Sequence, residues 1–197
     1  LGVEFFEWSG LIRMWTSVLN EFMYASTLQL GHLEFTSTVL TVSSILGLSV
    51  FGINLILPLI FIQIISRFNG QRTKLGKYRA LCEDFDMNHP YKRYHGVSLM
   101  FKKIFQPLAM VLLYSIPVLQ VFMATIPIIT ILLLQIIYHP HNRQATNFIN
   151  IFTEMSFLAV HFLLLVLAFD DNKPIIEDST KESFGAIIIG ICLLMIL

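Results

Sequence analysis

The sequence carries very little charge for its length. Only 13% of its 197 residues are Asp, Glu, Lys or Arg, whereas soluble domains typically contain about 25%. Acidic and basic side chains are equal in number, so the chain lacks the basic excess of nucleic-acid-binding domains. The low charge excludes an ordinary soluble domain, and the balance gives no reason to expect a nucleic-acid partner.

The sequence also lacks recognisable catalytic, nucleotide-binding and metal-binding motifs. Its two cysteines, Cys82 and Cys192, lie in a polar and an apolar segment, which favours free thiols over a disulfide or zinc framework. There is no nucleotide-binding glycine loop, no HExxH and no GxSxG. The acidic residues of 170–183 do not match the spacing of a calcium loop. We therefore expect no enzymatic activity, no cofactor and no metal site.

Long apolar runs are the dominant positive feature. Glu34 and Arg67 enclose 32 uncharged residues, and Lys103 and His139 enclose 35. A membrane-spanning helix needs about 20 such residues. The sequence therefore predicts an all-α, polytopic transmembrane helical bundle with about five spans. Because the chain begins at Leu1 and stops at Leu197 inside an apolar run, we interpret it as a fragment of a longer polypeptide.

The spans and loops follow from the distribution of charge and proline. The segment 1–36 mixes aromatic and charged residues, which is typical of an interfacial or re-entrant segment. The remaining assignment is a transmembrane helix at 37–66, a basic cytoplasmic loop at 67–98, a transmembrane helical hairpin at 99–138, a short cytoplasmic turn at 139–145, a transmembrane helix at 146–169, an acidic extracellular or luminal loop at 170–183, and the start of a further transmembrane helix at 184–197.

The hairpin at 99–138 competes with a single long helix. Forty helical residues would extend about 60 Å, twice the hydrocarbon thickness, and Pro117 near the middle offers a break. A single span would also place Arg143 outside and the acidic loop inside. The loop charges therefore favour the hairpin.

Nine of the 13 lysines and arginines cluster in or just after the loop 67–98. The positive-inside rule places this loop in the cytoplasm. Clusters of this kind also bind anionic lipids, so the nine are candidate contacts for lipid headgroups, with the last two extending along the helix to the near surface. They are Arg67, Arg72, Lys74, Lys77, Arg79, Lys92, Arg93, Lys102 and Lys103.

The span after the turn His139-Pro-His-Asn-Arg143 carries four polar side chains on one face. They are Asn147, Asn150, Glu154 and His161, and we call this set the polar stripe. At about 100° per residue their offsets of 0, 3, 7 and 14 place them on one narrow face of the helix. Ionisable residues inside a membrane usually mark ion or proton paths, so these four are candidates for lining a pathway or coupling helices.

Two of these residues have structural alternatives. Glu154 could instead form a hydrogen bond with a neighbouring helix, for example with Gln135 or Gln106. His161 is more simply explained as a neutral, hydrogen-bonded core histidine than as a proton relay, because burying its charged form is costly.

The order of these features resembles the membrane region of the TRP-like family, which is related to transient receptor potential and polycystin channels. The resemblance rests on the basic loop with tyrosines, the hairpin bearing Lys102 and Lys103, the turn with Pro140, and the span with Asn147 or Asn150 followed by Glu154. It covers residues 20–197 and implies a channel-related protein of the plasma or ciliary membrane. A selectivity filter is not recognisable in the sequence.

Two functions follow as expectations. In the first, the chain is the membrane region of a TRP-like protein that conducts or gates cations, with the polar stripe lining or coupled to the pathway. In the second, it is a structural anchor or assembly subunit for an extracellular domain or a larger complex. An energy-transducing subunit would require a water-connected relay between Glu154 and His161. In each case we expect the partners to be the lipid bilayer, including anionic lipids, and an oligomer or membrane complex.

Overall fold

The computed structural model describes residues 2–68, 78, 85, 89–172 and 176–196. These residues form seven helices and no extended strand, apart from an isolated bridge between Phe85 and His141. The all-α fold class is therefore confirmed for the described part of the chain. The helices are α1 (Gly2–Gly31), α2 (Thr38–Phe68), α3 (Pro90–Arg93), α4 (His95–Leu112), α5 (Pro117–Tyr138), α6 (Gln144–Asn172) and α7 (Asp178–Ile196).

Three of the described helices are long and apolar enough to cross a membrane. They are α2, α5 and the part of α6 from Gln144 to Asp171. This agrees with a membrane protein, but the predicted count of about five spans is not confirmed. The charged residues in α1, α4 and α7 lower their hydropathy, and α4 has only 18 residues.

The segment 99–138 contains two helices rather than one. Helix α4 ends at Leu112, and its last backbone bond runs from the Leu113 N–H to the Ala109 carbonyl. Pro117 then opens α5 at the first helical turn, where its missing N–H costs nothing and its fixed φ suits a helix. The break therefore falls at the proline that the sequence marks.

The helices pack in a sequence of neighbours. Helix α1 contacts α2 and α4, α4 contacts α5, and α5 contacts α6, whereas α7 has its contacts mainly with α6. The apolar core lies between α1, α2 and α4. It is formed by Ile12, Leu19, Met23, Phe61, Ile65, Val97, Met100 and Ile104. This arrangement leaves the opposite face of α4 available for polar contacts.

Helices α1 and α2 approach closely at a small residue. A Cβ added to Gly47 would lie 2.6 Å from Cγ of Gln29 on α1, whereas one added to Gly52 would meet no atom within 4 Å. Nearby, the Ser44 hydroxyl donates to the Glu34 carbonyl at 3.0 Å and accepts from the Glu34 N–H at 3.2 Å. A glycine at 47 therefore permits the close packing that small residues provide in membranes.

Candidate functional site

A buried ion pair joins α4 to α6. The Lys102 ammonium lies 2.6 Å from each carboxylate oxygen of Glu154. Their side chains are only 11% and 7% exposed. Charge-assisted hydrogen bonds of this length are the strong ones, and each charge supplies what the other needs to be buried. Glu154 thus has its partner on a neighbouring helix, but that partner is neither Gln106 nor Gln135.

The two lysines of α4 have acceptors on neighbouring helices. Lys102 contacts Glu154, and the Lys103 ammonium donates to the Thr16 carbonyl of α1 at 2.7 Å. Both lysines follow the first residue of α4 by about 10 Å along the axis. The structure gives them partners on α6 and α1, and their contacts with lipid headgroups remain a prediction.

Aromatic and histidine side chains continue the site along α6. The Lys102 ammonium lies 4.9 Å from the centre of the Phe157 ring, within the range of a cation–π contact. One turn further, His161 Nδ1 lies 2.9 Å from the Phe157 carbonyl. When Nδ1 carries the proton it donates to that carbonyl, which leaves Nε2 as an acceptor. The histidine is therefore a hydrogen-bonded, mostly buried residue.

A polar cavity of about 460 Å³ lies beside the ion pair. Helices α1, α4 and α6 supply most of its lining, and α5 contributes only Ala124. Besides Lys102, Lys103, Glu154 and His161, the polar residues that line it are Ser17, Asn20, Glu21, Tyr24 and Gln106. Glu154 and His161, the two residues of the polar stripe nearer the C-terminus, therefore line one cavity.

The other two residues of the polar stripe, Asn147 and Asn150, form hydrogen bonds with the turn between α5 and α6. The Asn147 amide donates to the His141 carbonyl and accepts from the His141 N–H, both at 2.9 Å. The Asn150 amide nitrogen lies 2.7 Å from His141 Nε2. Both asparagines therefore fix the connection between α5 and α6, and neither lines the polar cavity in the described structure.

The same turn adopts an uncommon backbone conformation. His139 caps α5 with φ 44° and ψ 68°, in the left-handed region. That conformation is unfavourable for a residue before proline, so the asparagine contacts help to hold it. The turn has no glycine, the residue that adopts the left-handed conformation most easily. The hydrogen bonds of Asn147 therefore contribute more to keeping this conformation.

Two histidine rings meet next to this turn. The rings of His95 and His141 lie 5.6 Å apart in an edge arrangement, and Phe85 packs against both. Burial, followed by the nearby His141, lowers the pKa of His95 from its usual 6.5 to about 4. His95 is therefore neutral at physiological pH and serves the packing of the turn on the start of α4.

The remaining basic residues divide into two groups. Arg67 lies exposed near the end of α2, while Lys92 and Arg93 lie in the last turn of α3. Arg72, Lys74, Lys77 and Arg79 lie outside the described residues, as does Cys82. The predicted contacts of this basic segment with lipid headgroups remain a prediction.

The sequence identified Gln106 of α4 as a candidate partner of Glu154, but it did not reveal the pairing with Lys102 or the contribution of α1 to the polar site. Lys102 and Gln106 are four residues apart and so share a face of α4, a spacing that could have marked the partner face for Glu154. Asn20, Glu21 and Tyr24 on α1 lie in a segment whose mixed aromatic and charged composition indicated the interface instead.

Comparison of the chain with family models, with curated proteins and with solved structures finds no match. The resemblance to TRP-like proteins therefore rests on the residues of this sequence alone.

Proposed function

We propose that this chain is the helical membrane region of a TRP-like, channel-related protein, and that the Lys102–Glu154 pair couples α4 to α6 during gating. The observation that carries the proposal is the 2.6 Å ion pair at the edge of a polar cavity. Intramembrane ionisable residues are costly and are usually tied to function. Gating is therefore a better role for this pair than cation conduction.

Conduction through Glu154 is disfavoured by its partner. A pathway carboxylate attracts cations because its charge is available to them. Here the Lys102 ammonium contacts both carboxylate oxygens, so the pair is neutral as a whole. A cation that approached Glu154 would meet that ammonium within contact distance.

A role in gating is supported by the space around the pair. Lys102 lines the polar cavity on one side of α4 and an apolar groove of about 490 Å³ on the other. Switching elements need two discrete arrangements of contacts, and empty volume beside a buried ion pair allows such a rearrangement. Helices α4 and α6 both pack on α5, which offers a common surface for the movement.

Single-channel recording of the full-length protein in a defined bilayer tests this function. Lys102→Met and Glu154→Gln should each change the open probability across a series of voltages and leave the unitary conductance unchanged. Ser156→Ala, whose hydroxyl donates to the Phe152 carbonyl within α6 and does not line the cavity, should change neither quantity. A changed unitary conductance or ion selectivity in Glu154→Gln would contradict gating and indicate a pathway residue.

The second candidate function is a structural membrane anchor. It is favoured by the same bidentate contact, because a carboxylate with a neighbouring-helix partner is the arrangement expected of a packing element. For this function the intact protein should carry no current above that of empty bilayers, while Lys102→Met should weaken the assembly of the protein in blue-native gels. A gated current with unchanged assembly would contradict it.

A further inference from the structure

The polar cavity lies at the middle of the membrane-spanning part of α6. Glu154 and His161, which both line it, lie on either side of the centre of the candidate span Gln144–Asp171. The seven residues between them correspond to about 10 Å along the helix axis. The cavity therefore brings polar groups to the depth at which a bilayer is least able to solvate them.

Two amide side chains in the lining of the polar cavity are available for further hydrogen bonds. The Asn20 and Gln106 side chains are partly exposed and form no hydrogen bond with another described residue. An amide exposed to hydrocarbon without a partner costs several kcal/mol. Acyl chains are therefore a poor filling for this cavity, whereas water can satisfy these groups.

The opposite side of α4 provides the contrast. A groove of about 490 Å³ there is lined mainly by apolar residues, among them Phe101, Phe105 and Leu108. Lipid chains fill such a surface without any polar cost. Two cavities of similar size thus lie on the two sides of α4. The polar lining favours water, and the apolar lining favours lipid chains.

The charges that line the polar cavity sum to zero. Lys102 and Glu154 form an ion pair, and the other two charged residues of the lining are Lys103, whose ammonium donates to the Thr16 carbonyl, and Glu21. The lining therefore offers an entering ion no net opposite charge in place of its hydration shell. A desolvated ion is expensive in such surroundings, whereas water and neutral polar molecules are not.

We propose that this cavity is a water-filled site that admits small uncharged polar molecules to the middle of the membrane and excludes ions. Its volume of about 460 Å³ accommodates on the order of ten water molecules at roughly 30 Å³ each. The Lys102–Glu154 pair forms one wall of the cavity and bridges α4 and α6 there. The inference goes beyond the proposed function, because it holds whether the protein gates a current or anchors a complex.

Cysteine accessibility in the full chain tests this site. In a background with Cys82→Ser and Cys192→Ser, Gln106→Cys is compared with Phe105→Cys, its neighbour on the apolar side, in protein reconstituted into phosphatidylcholine vesicles. The probe is an uncharged hydroxyethyl methanethiosulfonate. Only an ionised thiol reacts, and ionisation needs water, so Gln106→Cys should react at least about tenfold faster than Phe105→Cys.

Charged reagents test the exclusion of ions. Trimethylammonium-ethyl and sulfonatoethyl methanethiosulfonates should modify Gln106→Cys at least about tenfold more slowly than the uncharged reagent, after correction for their rates with a free thiol, because an ion loses hydration on entry. Asn20→Cys on α1 repeats both measurements if Gln106→Cys does not fold.

Two results would overturn the proposal. Equal rates at positions 105 and 106 with the uncharged reagent would mean that lipid or side chains fill the cavity. Equal corrected rates for charged and uncharged reagents at Gln106→Cys would mean that ions enter, and would indicate an ion pathway instead of a neutral vestibule. Neither result depends on whether the protein carries current.

Discussion

Helix α6 carries two ion pairs that differ in their surroundings. About a third of the way along the helix, Glu154 pairs with Lys102 of α4, and both side chains are nearly buried. At the C-terminal end, Asp170 pairs with Lys181 of α7 at 2.9 Å; the Asp170 side chain is only 3% exposed, but the Lys181 side chain is 36% exposed, and we call this pair the outer pair because of that exposure. Each pair joins a lysine to a buried carboxylate, and the two pairs differ in how far water reaches the lysine.

This difference decides what each pair does. In the outer pair, water and salt reach the Lys181 ammonium and screen its charge, and the buried Asp170 carboxylate keeps a second donor, the Ile176 N–H at 2.7 Å, when the lysine is lost. Inside the bundle neither charge has another adequate partner, so the loss of one leaves the other stranded. The buried pair therefore links α4 directly to α6, two helices that otherwise both pack on α5, while the outer pair joins the end of α6 to the start of α7.

The largest expected effect is the loss of the buried lysine. Lys102→Met should lower the free energy of unfolding by about 3–5 kcal/mol, because it leaves the Glu154 carboxylate buried and unpaired. The measurement is equilibrium unfolding in mixed micelles with increasing sodium dodecyl sulfate. Phe101→Met, at its exposed neighbour in sequence, is the matched control and should be close to the parent protein.

A double variant sharpens this result. Lys102→Met combined with Glu154→Leu removes both charges and should recover most of the lost free energy, since apolar replacements of buried pairs are often neutral. If the double variant is as unstable as Lys102→Met alone, the lysine contributes through packing, for example on Phe157, and not through its charge.

An intermediate effect is expected at the uncharged contact between α1 and α2. Gly47→Ala should lower stability by about 1–2 kcal/mol, since its Cβ would overlap Gln29 and force a shift in a packed contact. Gly52→Ala in the same helix meets open space and should be neutral or stabilising by up to about 1 kcal/mol. Thermal melting of detergent-solubilised protein compares the two. Equal melting temperatures would mean that Gln29 yields without cost.

The smallest effect is expected at the outer pair. The hydrogen bond with Asp170 raises the pKa of Lys181 above its usual 10.5. Because the folded pKa is the higher one, the stabilisation is complete below pH 10.5 and disappears as pH rises through the folded pKa. Lys181→Met should therefore cost less than Lys102→Met at neutral pH and remove part of the stability loss above pH 10.5.

Salt provides the control for the outer pair. Melting temperatures in 0.05 M and 1 M sodium chloride should show the cost of Lys181→Met shrinking at high salt, because the exposed pair is screened. The cost of Lys102→Met should be nearly the same at both concentrations. An equal salt dependence for the two variants would mean that water reaches both pairs alike.

The polar stripe shows how far helical periodicity reaches. It correctly places Asn147, Asn150, Glu154 and His161 on α6, but their partners separate them into two sites. The asparagines bind the His141 turn, whereas Glu154 and His161 line the cavity. Periodicity describes a single helix, and it contains no information on which neighbour lies opposite each turn.

The lysines of α4 show a second limit. Their position near the start of an apolar segment suggested that they reach the surface, which is the usual behaviour of lysine near a helix end. The structure gives each one an acceptor on a neighbouring helix. The choice between surface and interior depends on an acceptor supplied by another helix, and Glu154 is 52 positions away in sequence.

The sequence by itself determined the all-helical class, the membrane character and the three most apolar helices, because hydrophobicity and proline act locally along the chain. Only the tertiary structure decided that Lys102 meets Glu154, that α1 lines the polar cavity and that two sides of α4 have opposite chemistry. These features depend on which helices become neighbours. A buried charge must find its counter-charge wherever packing brings one within reach.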